Sequence, residues 1–401
     1  MNDDQLLCEH CLADNELRDE IRKRGSVIEK CLVCHSTGGQ ALPVSDRSVR
    51  RIFRALVRLY YSEWDYNHHL GGDSLQTLVF GRNRIFNLPE NASALDFESV
   101  FLVLEDDWYP ADPCDITLGG GYWDGGVLWG LRDHLDGDVH QVVLRAFNKS
   151  DLELEADVRT LIESVRPDIA AVLGTGVKFS RARIGVKARL KPKSPAPLYS
   201  SHSQYLPFSL VDIDRPPVAK ATEGRFNKDH VSILYLASDN TTAIAELRPH
   251  PGHLVSTAEF ELMRPIRVAD FSKHDIRGFL NDDRLEQLRR ILSFGGILNL
   301  PIQPEHQVLY SLTQRLGDAL RAAGFEAVSF RSSVGPGINL ACFADDAFKQ
   351  VPESEAVSEV RSLHYEIEPR AAVEQNYDST EYEIDKDDPL ATLFDGLARR
   401  S

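Results

Sequence analysis

Apolar residues recur along this chain at two spacings, and the change from one spacing to the other marks where helices give way to strands. Between residues 45 and 64, Val49, Ile52, Phe53, Leu56, Val57 and Tyr60 share one stripe, while Arg47, Arg50, Arg51, Arg54 and Arg58 lie largely off it. That pattern predicts an amphipathic helix. Leu152, Leu154, Val158, Leu161, Ile162 and Val165 repeat the spacing over residues 151–165 and predict a helix that ends before Pro167. Alternation with period two appears over residues 231–237, with Ile233, Tyr235 and Ala237 on one face, and again over 253–262. Between these two strands, residues 238–242 offer N-cap candidates for a short helix that Pro249 terminates. Residues 282–292 and 306–323 read as further helices, the second with Val308, Leu309, Leu312, Leu316 and Leu320 on one side and Gly324 as its C-cap. Strands and helices mix without regular alternation, and no Gly-rich phosphate loop opens a helix. The pattern therefore argues against a Rossmann fold and predicts an α+β protein.

With 401 residues the chain exceeds a typical single domain, so two or more units are expected. Its 42% hydrophobic and 26% charged residues suffice for packed cores. No apolar run reaches the length of a membrane span, and the start Met1-Asn2-Asp3-Asp4 lacks a signal peptide's basic and apolar regions, so the expected location is the cytoplasm. A net charge of −16 argues against sequence-independent nucleic-acid binding by the protein as a whole. Half of that excess lies in residues 351–401, with 13 acidic and 5 basic side chains, which reads as a surface segment in which residues 390–394 can dock as one helical turn. Residues 177–193 run the other way, with seven basic residues and no acidic ones (Lys178, Arg181, Arg183, Lys187, Arg189, Lys191, Lys193). Residues 102–129, rich in Asp, Gly, Pro and aromatics, read as a long irregular stretch.

Four cysteines form two knuckles, Cys8-x-x-Cys11 and Cys31-x-x-Cys34, separated by nineteen residues. This spacing predicts a tetrathiolate zinc site, closed and therefore structural, because four thiolates leave no position for water. His10 and His35 adjoin the ligands and are not needed. Between the knuckles Asp14 or Asn15 can cap a short helix carrying Leu17 and Ile21, with Gly25 as its stop.

The candidate chemistry centres on residues 224–246. Gly224-Arg225-Phe226-Asn227, Ile233-Leu234-Tyr235-Leu236-Ala237 and Ala243-Ile244-Ala245-Glu246 carry a guanidinium, a phenol and a carboxylate on three successive short elements. Such a set suits a small ligand with phosphates, an aromatic ring and a developing positive charge. Downstream come Ser332, in Gly324-Phe325-Glu326-Ala327-Val328-Ser329-Phe330-Arg331-Ser332-Ser333, and Asn339, in Gly337-Ile338-Asn339-Leu340-Ala341-Cys342-Phe343. At these residues the chain resembles the RES family. The resemblance implies a fold related to ADP-ribosyltransferases and an enzyme that degrades NAD, by hydrolysis in the first reading and by phosphorolysis or ADP-ribosyl transfer in the alternatives. Val177-Lys178-Phe179-Ser180-Arg181-Ala182-Arg183 resembles the family's opening strand with its essential arginine, assigned to Arg181, with Arg183 as the alternative. Here the chain departs from the compact pattern through an insertion over residues 191–217.

On this resemblance Glu246 stabilises the oxocarbenium-like sugar, Arg225 and Arg181 grip the diphosphate, Tyr235 stacks on nicotinamide or its ribose, Ser332 orients the ligand and Asn339 shapes the site. His250, His253 and Cys342 have no proton-transfer partner and read as structural. The expected organisation is a zinc module over residues 1–44, a helical domain over 45–170, a RES domain over 171–368 and an acidic tail over 369–401. The first two together resemble the amino-terminal, HEPN-related domain fused to some RES proteins. HEPN nucleases pair an Arg with a His several residues on, and neither Arg82-Asn83 nor Arg132-Asp133, with His134 and His140, fits that spacing, so no nuclease is expected. The resemblance also implies a toxin or defence effector with a protein antitoxin as partner, the zinc-bearing half acting as sensor, partner-binding or homo-oligomerising module. The competing reading is a zinc-dependent nucleic-acid-binding regulator that uses the arginine-rich helix and the basic run, its RES-like half having lost activity.

Overall fold

The computed structural model describes residues 6–59, 61–62, 80, 84–87, 123–124, 135–146, 152–191, 203–273, 276–279, 284–300, 302, 310–364 and 367. The irregular stretch expected over residues 102–129 (apart from the strand Trp123–Asp124), the Arg82 and Arg132 positions, Tyr60 and the acidic tail lie outside them. The chain forms two compact units, one of Met1–Asp136 with His274–Leu292, the other of Gly137–Lys273 with Ser293–Arg400. No described helix is long and apolar enough to cross a membrane.

In the first unit a three-stranded antiparallel sheet, β1 (Leu6–Cys8), β2 (Ser26–Val27) and β3 (Gln40–Pro43), is ordered β1-β3-β2. Helix α1 (Asn15–Arg24) packs on it. The Asp14 carboxylate accepts the Leu17 N–H at 3.0 Å and so caps the helix start. At the other end a Cβ on Gly25 would stand 2.5 Å from the Ile21 carbonyl, so only glycine lets the chain turn there. Leu17 and Ile21, one helical turn apart, are fully buried. Helix α2 (Arg47–Arg58) starts where Asp46 accepts the Ser48 and Val49 N–H groups at 2.9 and 3.3 Å, and its Val49, Phe53 and Leu56 are buried as the stripe requires.

The second unit opens with α3 (Gly137–Arg145) and α4 (Leu152–Ile169). Helix α4 does not stop before Pro167 as expected. It carries the proline in its last turn, because Val165 and Ile169, four residues apart, are both buried and draw the chain through one more turn. A nine-stranded mixed sheet follows. Its strands are β4 (Ala170–Leu173), β5 (Lys178–Ile184), β6 (Leu234–Ala237), β7 (Leu254–Leu262), β8 (Ile266–Asp270), β9 (Ala327–Arg331), β10 (Ile338–Cys342), β11 (Phe348–Gln350) and β12 (Ala356–Glu359). The order is β11-β7-β5-β6-β10-β9-β8-β4, with β12 pairing the opposite end of β7. Only β8 and β9 run parallel. The α+β class is thus the class of the molecule.

One face of the sheet holds a core that includes Phe179, Leu236, Phe260, Val268, Leu340 and Phe348. Phe179 and Phe348 meet edge to face with centroids 5.9 Å apart. Helix α5 (Asn240–Glu246) follows β6, and α7 (Tyr310–Ala322) packs against α4. Helix α6 (Leu285–Asn299) runs beyond its expected end at residue 292, since the apolar stripe of Leu288, Ile291, Phe294 and Leu298 continues across Gly295-Gly296. Gly324 ends α7 with φ 83, in the left-handed region that glycine enters without strain.

Phe260 is fully buried at the centre of the sheet core. Phe260→Ala is expected to lower stability by about 3–5 kcal/mol, read as a lower denaturant midpoint at unchanged slope.

Candidate active site

The guanidinium expected at residue 225 sits on a tight turn. Gly224 and Asn227 exchange backbone hydrogen bonds at 2.9 and 3.3 Å, leaving Arg225 and Phe226 at the tip. A Cβ on Gly224 would meet Asn227 Oδ1 at 2.7 Å, so the close approach requires glycine. Helix α7 holds the turn from the other side: Gln314 Nε2 donates to the Gly224 and Asn227 carbonyls at 3.1 and 3.0 Å, Arg321 Nη2 donates to that of Phe226 at 2.8 Å, and Thr313 Oγ1 donates to that of Arg225. Phe226 is fully buried against Phe330, with centroids 5.5 Å apart. Arg225 itself donates from Nη1 to the Leu298 carbonyl at 2.7 Å and from Nη2 to that of Leu300 at 2.8 Å. These carbonyls belong to the C-terminal end of α6, where a cation meets the negative end of the helix dipole.

Tyr235 serves the same turn. Its hydroxyl donates to Asn227 Oδ1 at 2.7 Å and accepts the Phe226 N–H at 3.0 Å, and burial drives its pKa well above the usual phenol range. The phenol is therefore a neutral strut, while its residue lines the cavity.

Glu246 ends α5, which Asp239 caps by accepting the Thr242 N–H at 2.7 Å and the Thr242 hydroxyl at 2.8 Å. One oxygen of Glu246 receives two donors. Oε1 accepts the Ser332 hydroxyl at 2.6 Å and Asn339 Nδ2 at 2.7 Å. Ser332 Oγ in turn accepts the Gly335 N–H at 2.8 Å. The β9–β10 turn docks tightly on the start of α5, since a Cβ on Gly337 would stand 2.1 Å from Ser238 Oγ and 2.3 Å from Asp239 Oδ2. The Ser332 hydroxyl thus ties the β9–β10 turn to the Glu246 carboxylate.

These elements enclose a cavity of about 530 Å³. Arg181, Arg225, Tyr235, Glu246 and Asn339 line it, joined by Arg248, Tyr310 and Phe330. Ser332 is not among the lining residues and meets the cavity through Glu246. Arg181 donates from Nη1 to the Tyr235 carbonyl at 2.9 Å, while its Nε is buried with no hydrogen-bond partner. Burial lowers its pKa to about 10, so it stays charged at neutral pH with its water stripped away. Arg183 lies elsewhere, stacked 4.5 Å over the Phe208 ring and donating to the Asp212 carbonyl. Three more residues of the basic run are similarly engaged: Lys178 pairs with Glu259 at 3.1 Å, Lys187 with Asp212 at 3.4 Å, and Arg189 bonds Ser203. Cys342 is fully buried, and that burial raises its thiol to about 11, so it remains an inert thiol. His250 and His253 bond each other's segment, the His250 N–H donating to His253 Nδ1 at 3.1 Å.

The model of the RES domain matches residues 199–366. The chain carries a RES domain. Arg181 lies upstream of the matched residues, yet its strand β5 pairs directly with β6 and β7 of the RES domain. Among solved structures, the M. tuberculosis MbcT-MbcA toxin-antitoxin complex is similar at 9% identity and a TM-score of 0.27, covering 51% of this chain and 92% of that one. No curated protein matches the chain.

Arg248, Tyr310 and Phe330 went unread in the sequence. The signal for Arg248 was its place between the helix end at Glu246 and Pro249, where glycine is usual.

Outside the RES domain, Cys8, Cys11, Cys31 and Cys34 are buried with all four sulfurs within 4.8 Å of one another. Neighbouring sulfurs stand 3.6, 3.3 and 3.7 Å apart. Thiolates bound to zinc at about 2.3 Å in a tetrahedron lie about 3.8 Å apart, so the group fits a metal ion. The Val33 and Cys34 N–H groups point at Cys31 Sγ at 3.4 and 3.5 Å, as donors to a thiolate would. Contacts with Cys31 and Cys8, together with burial, push the Cys11 thiol well above its ordinary range when no cation is present. A cation removes that penalty.

Two outcomes follow. Gly337→Ala should displace the β9–β10 turn from α5 and lower thermal stability by several degrees, measured by calorimetry. The purified protein should carry one equivalent of zinc by elemental analysis, and Cys31→Ser should lose it together with the protease resistance of the first unit.

Proposed function

We propose that the cavity cleaves the bond between nicotinamide and ribose in NAD, releasing nicotinamide and ADP-ribose. The supporting observation is a carboxylate whose Oε1 is saturated by Ser332 and Asn339, leaving Oε2 for the ligand, in a cavity that also holds three arginines. Three guanidinium groups against one carboxylate leave two positive charges, the complement of a diphosphate. The RES domain supports NAD as the substrate.

In this reading the C1′–N bond breaks with its electron pair passing to the pyridine nitrogen, which loses its positive charge. The ribose becomes oxocarbenium-like, and Glu246 Oε2 stabilises it more than the ground state. Water adds to C1′ and releases a proton. Ser332 and Asn339 hold the carboxylate at a fixed angle, so no reorganisation is needed as charge develops. Tyr310 and Phe330 supply aromatic faces to the cavity. Residues 171–368 constitute the catalytic domain and residues 1–44 a zinc module. The cellular role is an NAD-depleting toxin or defence effector restrained by a protein antitoxin that closes the cavity. The engagement of Lys178, Lys187 and Arg189 with Glu259, Asp212 and Ser203 weighs against the nucleic-acid-binding alternative.

The test is to incubate the protein with NAD and follow free nicotinamide by chromatography. Glu246→Gln should reduce the rate about 100-fold, and Ser332→Ala about 10-fold. Inorganic phosphate in a parallel sample reports the acceptor, since ADP-ribose 1-phosphate would replace ADP-ribose. A wild-type protein that releases no nicotinamide, or Glu246→Gln acting at the wild-type rate, refutes the proposal.

A further inference from the structure

Arg248 has a backbone that a residue with a side chain rarely adopts. It follows the C-cap Leu247 of α5 with φ 47, in the left-handed region. Its N–H still closes the helix by donating to the Ala245 carbonyl at 2.9 Å. Had the helix continued, residue 248 would project about 200° around the axis from Glu246. The reversal at Arg248 instead lets both line one cavity. The segment beyond is fixed: Pro249 is buried, the His250 N–H bonds His253 Nδ1 at 3.1 Å, and the Gly252 N–H donates to the Val360 carbonyl at 2.7 Å.

The three cavity arginines differ in what they have left to give. Arg225 spends both terminal nitrogens on the Leu298 and Leu300 carbonyls, and Arg181 donates to the Tyr235 carbonyl. Among the described residues Arg248 has no hydrogen bond or ion pair through its guanidinium, and it is exposed into the cavity. Burial lowers the pKa of Arg225, and the nearby Arg248 charge lowers it further, so the two cations repel across a space that an anion would neutralise. Arg181, which also lines the cavity, has a buried Nε without a hydrogen-bond partner.

We propose that Arg248 is the principal diphosphate-gripping side chain of this cavity, and that Arg225 is a positioning residue that ties its turn to the end of α6. The left-handed backbone is retained because it delivers a free planar fork beside Glu246, a geometry suited to two phosphate oxygens. The inference deepens the dinucleotide reading above, but its test does not depend on bond cleavage.

Titration calorimetry with inorganic pyrophosphate provides that test. Arg248→Gly removes the guanidinium and suits the left-handed backbone, so its melting temperature should equal or exceed that of wild type while pyrophosphate binds at least 10-fold more weakly. Arg248→Asn, which also tolerates this backbone, should behave alike, and Arg248→Lys should fall between because it keeps charge without the fork. With NAD, Arg248→Gly should raise KM by a similar factor and change kcat less. Wild-type protein that binds no pyrophosphate, or Arg248→Gly that binds it as tightly as wild type, overturns the proposal. Nicotinamide release by wild type is scored separately, so failure of the reaction and failure of the anion site are distinguishable.

Discussion

A single carboxylate oxygen joins the parts of the second unit that make the cavity. Glu246 Oε1 is the meeting point of a hydroxyl from the β9–β10 turn and an amide from β10, both arriving from far along the chain. Charge-assisted hydrogen bonds of this kind are short and directional, so they fix the helix end, the turn and the strand relative to one another. The glycines at 335 and 337 make the meeting possible, since any side chain there would collide with Thr242, Ser238 or Asp239. Both donors converge on the same oxygen.

A division of labour among the cations follows from the same economy of donors. A buried guanidinium needs partners, and the C-terminal carbonyls of α6 give Arg225 two of them. Tyr235 does the equivalent for Asn227 and Phe226. Arg181, Arg225 and Tyr235 thus both bond backbone and line the cavity, and only distances show how much of each side chain is already engaged.

Local chemistry was the legible part of the sequence. The cysteine spacing, the Asp14 and Asp239 caps, the Gly25 and Gly324 stops and the alternation of 254–262 all act within a few residues, and each has its counterpart in the structure. Long-range commitments were not legible. Nothing within a few residues of Ser332 says that its hydroxyl is taken by a carboxylate 86 positions earlier. Helix α4 passing through Pro167 and α6 passing through Gly295-Gly296 show burial of an apolar stripe overriding local breakers. Arg248 escaped notice because its conformation contradicts the preference of its residue type.

The sequence distance between Glu246 and its two donors also bears on how the protein is made. Asn339 leaves the ribosome 93 residues after Glu246, which at roughly 5–20 residues per second is a delay of about 5–20 seconds. Throughout that interval the nascent polypeptide holds its acid without the groups that aim it. The carboxylate is therefore aimed only after both strands flanking the β9–β10 turn have been made, well after the helix that carries it.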